Sequence, residues 1–246
     1  MYRKRFATIL ILMACLAAPH ARAEENATVK NWSDEAELSY VETSGNSDVK
    51  TLSAKNLLKY KFTDRLSGSW KLAALRGEAA GALTAERYLT ELRGEYVITT
   101  RTYAFVTAGW AKDEFAGIAS SASLGPGVGY KFLTGPVHLL LGEAGLVYVA
   151  EHYTNNTQST RVDGRLFGSY VYAFTDKNKF LQTLEYLHDF DDSENYRFNS
   201  ETALVTTLTG VFSIKISYTV RYDHLPIPSI LNQTDTVLAV ALLANF

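Results

Sequence analysis

Two short stretches of this 246-residue sequence hold the residue types that hydrolysis needs. His188, Asp189, Asp191 and Asp192 fall in one, and Asp223-His224 opens the other. Carboxylates and an imidazole that converge on a water can act on it as general bases. The run Asp189, Asp191, Asp192 and Glu194 also offers hard oxygen ligands to a divalent cation. Neither pattern is specific, since a solvated acidic loop has the same composition. A lipase-like nucleophile would need a serine paired with a histidine, and His138 is followed only by Leu139, Leu140 and Leu141. There is no EF-hand, phosphate loop or histidine zinc motif. The sequence therefore assigns no catalytic residue and calls for no cofactor, and the acidic run is only a weak metal candidate.

A larger set of ionisable residues recurs in twos. Arg87, Glu91, Arg93 and Glu95 share one parity, against Tyr88, Leu92, Tyr96 and Ile98 on the other. Arg161, Asp163 and Arg165 oppose Val162, Leu166, Tyr170, Tyr172 and Phe174, while Lys215 and Arg221 oppose Phe212, Ile214, Ile216, Tyr218 and Tyr222. Side chains alternate faces along a strand, whereas an amphipathic helix spaces its apolar residues by three and four. The charged rows are thus one face of strands whose other face is apolar. The closing stretch has the same form: Thr236, Leu238, Val240, Leu242, Ala244 and the terminal Phe246 share a face.

About twelve such runs are readable, at roughly 34–44, 48–62, 66–76, 86–98, 102–112, 121–132, 137–150, 161–174, 179–188, 196–208, 211–222 and 234–246. Each is near the length a tilted strand needs to cross an outer membrane. The apolar face is even-numbered in most, with Tyr103 and Phe105 the main exception. Tight turns at 63–65, 99–101, 133–136, 175–178 and 209–210 alternate with longer polar stretches at 77–85, 113–120, 151–160, 189–195 and 223–233. Aromatics gather at strand ends. Tyr60, Phe62, Tyr103, Phe105, Tyr130, Phe132, Tyr172, Phe174, Phe180, Phe212 and Phe246 lie by the tight turns, and Tyr40, Tyr88, Tyr148, Tyr186, Tyr196 and Tyr222 by the longer stretches. Two aromatic girdles suit the two membrane interfaces. The expected fold is all-β: an antiparallel up-and-down transmembrane β-barrel, closed because only closure satisfies every backbone group in lipid.

In such a barrel Arg87, Glu91, Arg93, Glu95, Glu143, Arg161, Asp163, Arg165, Arg197, Glu201, Lys215 and Arg221 line the lumen. Such rows either steer a polar solute through a narrow channel or pair into a plug. Gly125, Gly127 and Gly129 share one face, leaving room for bulky neighbours across the barrel or for a side chain or ligand against the strand. Pro126 between them predicts a local bulge.

The amino-terminus predicts export. Tyr2-Arg3-Lys4-Arg5 is a basic n-region, Phe6 to Ala18 an apolar run, and Ala21-Arg22-Ala23 a cleavage site, giving a signal peptide at 1–23 and a barrel at 24–246. The alternative is lipid attachment at Cys15, in Leu12-Met13-Ala14-Cys15. Removing Arg3, Lys4, Arg5 and Arg22 leaves 20 basic against 26 acidic side chains, net −6. That balance argues against nucleic acid as a partner. Cys15 is the sole cysteine, so the remainder carries no disulfide or thiol nucleophile.

Three stretches carry a family resemblance: Tyr40-Val41-Glu42-Thr43-Ser44-Gly45-Asn46-Ser47-Asp48 leading into Leu52-Ser53-Ala54, Leu124-Gly125-Pro126-Gly127-Val128-Gly129-Tyr130, and the closing strand. Together they resemble the salt-induced outer-membrane proteins, a family largely of unknown function. The resemblance implies a bacterial outer-membrane location and a link to salt or envelope stress, and it supplies no catalytic residues. The closing aromatic, Phe246, resembles the signal that marks a chain for the barrel-assembly machinery. The expected partners are outer-membrane lipid, lipopolysaccharide, that machinery, and small polar solutes or ions. An outer-membrane hydrolase with its site at the rim is the alternative.

Overall fold

The computed structural model describes residues 30–43, 49–226 and 232–246. The expected leader, with Cys15 and the cleavage site, and the Ser44–Asp48 turn lie outside them. Asn31–Phe246 form one unit. It contains β1 (Trp32–Thr43), β2 (Val49–Lys61), β3 (Leu66–Ala79), β4 (Ala82–Val97), β5 (Thr102–Asp113), β6 (Ile118–Thr134), β7 (His138–Tyr153), β8 (Gln158–Ala173), β9 (Asn178–Asp189), β10 (Tyr196–Thr207), β11 (Phe212–Asp223) and β12 (Thr234–Asn245). Every strand pairs antiparallel with its sequence neighbours, and β1 meets β12 to close the barrel.

One parity rule holds round the wall. Odd-numbered residues such as Glu37, Glu143, Arg161 and Asp163 are buried, while even-numbered Leu38, Leu92, Leu124, Leu166, Leu204 and Leu238 are exposed. An exposed apolar belt on this scale is unaffordable in water and ordinary against hydrocarbon. Polar atoms on this outer face are satisfied locally. Trp70 Nε1 donates to Thr90 Oγ1 at 2.9 Å and Trp110 Nε1 to Ser120 Oγ at 3.0 Å. Paired rings also mark the tight-turn ends: Tyr60 with Phe62, Tyr130 with Phe132 and Tyr172 with Phe174, at 4.9, 5.0 and 4.6 Å between centroids.

Four of the tight turns share one device. Thr63, Thr99, Thr175 and Thr209 each accept, through Oγ1, the backbone N–H three residues on, at 2.9, 2.9, 3.1 and 3.0 Å. The hydroxyl closes the turn without needing glycine.

The loops expected at 77–85 and 151–160 are mostly strand, and the one at 113–120 is strand on either side of a short helical turn, Glu114–Ala116. β3 and β4 pair out to Ala79↔Ala82 across Ala80-Gly81, both at positive φ (51° and 79°). β7 and β8 pair out to His152↔Gln158. Beyond the hydrocarbon both faces of a strand can be polar, so alternation fades although the ladder continues. A bulge at Pro126 is also absent: Val106↔Pro126 keeps register, and the shifts in the β6–β7 ladder fall at Ile118/Ser120 and Lys131/Leu133. Proline removes a donor here without adding a residue.

The β1–β12 seam is short. Four register pairs run from Glu35↔Asn245 to Leu38↔Leu242, whereas every other ladder has eleven or more. Phe246 extends it, donating its N–H to Asp34 O at 2.9 Å and accepting from Asp34 N at 3.2 Å. Deleting Phe246 should therefore lower the yield of heat-modifiable barrel severalfold, while deleting Ser193 from the exposed 190–195 connection should not. Equal yields would separate Phe246 from closure.

Candidate functional site

The lumen carries the ionisable residues. Glu143 is the hub of its first cluster and is 5% exposed at the side chain. It accepts from Tyr103 Oη at 2.8 Å, Arg93 Nη2 at 2.7 Å and Arg165 Nη1 at 3.0 Å. Arg165 Nε also donates to Glu185 at 2.7 Å, and Glu185 accepts from Asn199 Nδ2 at 3.0 Å. Arg93 reaches Glu95 at 3.3 Å. In the second cluster Lys215 lies 2.9 Å from Glu37 and 2.6 Å from Glu201, and Lys55 lies 3.0 Å from Glu37. The two clusters meet on β10, where Asn199 and Glu201 share a face, so a belt of charge follows most of the wall.

A third cluster lies toward the longer connections. Arg161 donates to Glu151 at 2.6 and 3.1 Å. Arg197 donates to Asp163 at 2.5 Å, and Tyr153 Oη to Glu151 at 2.7 Å. Arg161, Glu151 and Asp163 are all nearly inaccessible. Asp163 Oδ1 lies 3.2 Å from Arg161 Nε without a hydrogen bond of good geometry. Glu151 and Tyr153 fall within a stretch read from sequence as loop; their odd numbers, continuing the parity of β7, were the available signal. Of the remaining expected lumen residues, Glu91 faces Lys71 in register, and Arg87 lies 3.8 Å from Asp113. Arg221 stands opposite Asp235 in register.

Tyr103 and Phe105 do not belong to the outer girdle. They point inward, 2% and 6% exposed. A Cβ at Gly129 would overlap the Tyr103 ring, and one at Gly127 would overlap Phe105. The glycine face of β6 is therefore a bed for two rings from the adjacent strand rather than room for side chains across the barrel. Arg93 then lies over Phe105, its Cζ 4.0 Å from the ring centroid, and Lys131 Nζ lies 5.4 Å from that of Tyr103. Such contacts help hold the arginine that Glu143 binds. Gly129→Ala should destabilise the barrel by about 1–3 kcal/mol through overpacking. Tyr103→Ala in the same chain should relieve part of that cost, a coupling a double-mutant cycle in vesicle unfolding reads. Strict additivity would show that the ring does not rest on Gly129.

The residues singled out for hydrolysis do not converge, which corrects the rim-site expectation. His188 stands with outward Tyr186, its Nδ1 3.3 Å from Tyr186 Oη. His224 stacks on Tyr196 at 4.6 Å, with Nδ1 2.8 Å from Tyr222 Oη. Asp189 and Asp223 take the odd, inward parity, so the wall separates each imidazole from the carboxylate beside it in sequence. The acidic run builds its own loop: Asp189 accepts from Asp191 N at 2.9 Å and Asn195 Nδ2 at 2.9 Å, and Asp192 from Glu194 N at 3.0 Å. Among the described residues no three His, Cys, Asp or Glu side chains group as metal ligands, so Asp189, Asp191, Asp192 and Glu194 form no joint site.

Comparison with known proteins agrees with this architecture. The profile of a family described as protein of unknown function, DUF481, matches residues 36–246. The uncharacterized protein YdiY of Escherichia coli (strain K12) is 28% identical over 196 residues, covering 80% of this chain and 76% of that one. Among solved structures, the NanC porin superposes with a TM-score of 0.51 at 8% identity, covering 87% of this chain and 97% of its own. The translocator domain of the autotransporter NalP from Neisseria meningitidis gives 0.49 at 11% identity, covering 90% of each. At 8% identity the likeness to the porin concerns the fold alone.

Proposed function

The chain belongs to DUF481, a family of proteins of unknown function, and within it we propose a narrow outer-membrane channel that admits or binds small polar solutes. One observation carries this reading over a sealed plug. The described ion pairs follow the wall, joining residues of one strand, of neighbouring strands or of strands at most three steps apart, as Arg93 on β4 to Glu143 on β7. They line the interior rather than bridge it. The fixed charge of both signs would orient a hydrated solute and weight the passage of ions.

The setting that goes with this reading is the bacterial outer membrane. A cleaved leader delivers the chain, the assembly machinery inserts it, and lipid and lipopolysaccharide surround it. Solute traffic under salt or envelope stress is the role the family resemblance favours. The refolded protein in planar bilayers should give small, uniform conductance steps, and Lys215→Glu should shift the reversal potential toward cation preference. Bilayers that hold folded barrel yet show no steps would overturn the channel reading.

A further inference from the structure

The outer wall is not evenly filled. A groove of about 550 Å³, the size of a small-molecule site, crosses it between β5 and β10, with a lining that is nearly all apolar. Gly142 and Ala144 on β7 and Gly168 on β8 lie in its floor. A Cβ built at Gly168 would meet only Leu141 O, at 4.0 Å, so no side chain of the protein fills the space above it. Leu184, opposite Gly168 in register, and Leu166, two residues back along β8, stand out beside the gap, 44% and 58% exposed.

The groove runs from one end of the strands toward the other. Thr102, the first residue of β5, lines one end, and Tyr186 and Phe198 line the other, close to the longer connections. There the outward rings continue across three strands. Tyr186 lies 6.2 Å from Tyr196 between centroids, and Tyr196 lies 6.0 Å from Tyr222 and 4.6 Å from His224. His188 stacks with Tyr186 at 6.1 Å. Tyr222 Oη meets His224 Nδ1 at 2.8 Å, and Tyr186 Oη meets His188 Nδ1 at 3.3 Å. With each Nδ1 taken up by a hydroxyl, each Nε2 is left to a partner outside the chain.

An apolar groove that faces hydrocarbon stays dry. An acyl chain laid in it regains the dispersion contacts that glycine leaves unmade. Such a chain carries a head, and the groove delivers that head to the tyrosine–histidine cluster. The negative faces of aromatic rings attract the C–H groups of a sugar ring, and hydroxyls and imidazole nitrogens hydrogen-bond its hydroxyls. Asp191, Asp192 and Glu194, on the connection from β9 to β10, repel a head that is only a phosphate ester. The chemistry of the cluster therefore favours a head built mainly of sugar.

We propose that this side of the barrel binds a glycolipid of the surrounding leaflet, with one acyl chain in the groove over Gly168 and the sugar head on Tyr186, His188, Tyr196 and His224. The site goes beyond the channel reading, since it lies on the outer wall and does not depend on conduction. Held there, the lipid packs against β7 to β11 as part of the wall.

The test is native mass spectrometry of the full barrel refolded in detergent micelles. Lipid A is the probe, and phosphatidylglycerol of matched chain length is the sugar-free control. The parent should retain lipid A in preference. Gly168→Leu, which the open space admits, should lower that retention about tenfold, the weight of roughly two buried methylenes. His188→Ala combined with His224→Ala should abolish the preference for lipid A while leaving the groove able to hold a chain. Ala54→Leu, outward on β2, should match the parent. Heat-modifiable mobility certifies the fold of each variant, and bilayer conductance is read in parallel. Lipid A retained by a barrel that never conducts would uphold the site and remove the channel. Lipid A retained equally by the parent and Gly168→Leu would overturn the site whatever the conductance. Equal retention of the two lipids by the parent would overturn it too, as would a lipid-free dimer broken by Gly168→Leu, which would make the groove an interface between copies.

Discussion

Replacing Glu143 by alanine is expected to cost the barrel about 3–5 kcal/mol, the range for removing one member of a buried, hydrogen-bonded charge pair. The residue holds Arg93, Arg165 and Tyr103 at once, at 2.7, 3.0 and 2.8 Å. Its loss strands two guanidiniums in a partly shielded lumen, and only Arg165 keeps a strong second acceptor, Glu185 at 2.7 Å. Glu143→Gln keeps one acceptor oxygen and the shape, and should cost less. Unfolding free energies of barrels folded into lipid vesicles read both. If Glu143→Ala fell within about 0.5 kcal/mol of the parent, the scale of an ordinary surface change, water would be solvating those arginines and the cluster would contribute no stability.

Leu92→Arg should cost about 2–4 kcal/mol, the price of a guanidinium on the lipid face near the midplane. Leu92 is 57% exposed on the outer wall, while Arg93 beside it turns inward to Glu143 and Glu95. Arg93→Leu acts by another route, leaving Glu143 with Arg165 and Tyr103, so its penalty should be the smaller of the two. In a conducting barrel it should also move selectivity toward cations. The reverse ranking, with Leu92→Arg neutral and Arg93→Leu severe, would invert the faces of β4 and with them the whole wall.

Much of this arrangement is legible in sequence because lipid enforces a simple rule. Where one face meets hydrocarbon and the other a charged interior, parity cannot slip by a single residue. The rows in β4, β8 and β11 therefore identify the lumen residues from the sequence alone. Legibility fails where the physics relaxes. Ala79–Leu83 and Glu151–Gln158 read as loops because neither face there needs to be apolar. Tyr103 and Phe105 read as girdle because a ring is as suited to an interface as to a glycine bed, and only pairing with Gly127 and Gly129 decides between them. The threonine turns were open to reading: an apolar residue followed by threonine recurs at Phe62-Thr63, Ile98-Thr99, Phe174-Thr175 and Leu208-Thr209.

The short seam has a bearing on time. Each hairpin joins neighbours in sequence and can form early, with little chain entropy to overcome. Joining Glu35 to Asn245 closes nearly the whole chain into a loop, the costliest closure available to it. It is also the least rewarded, with four register pairs and the Asp34–Phe246 bonds to oppose that cost. The seam is therefore the last contact made and the slow one. Until it forms, the chain is a curved sheet with two bare edges, and any factor that shelters β1 and β12 during that interval speeds the step that limits assembly.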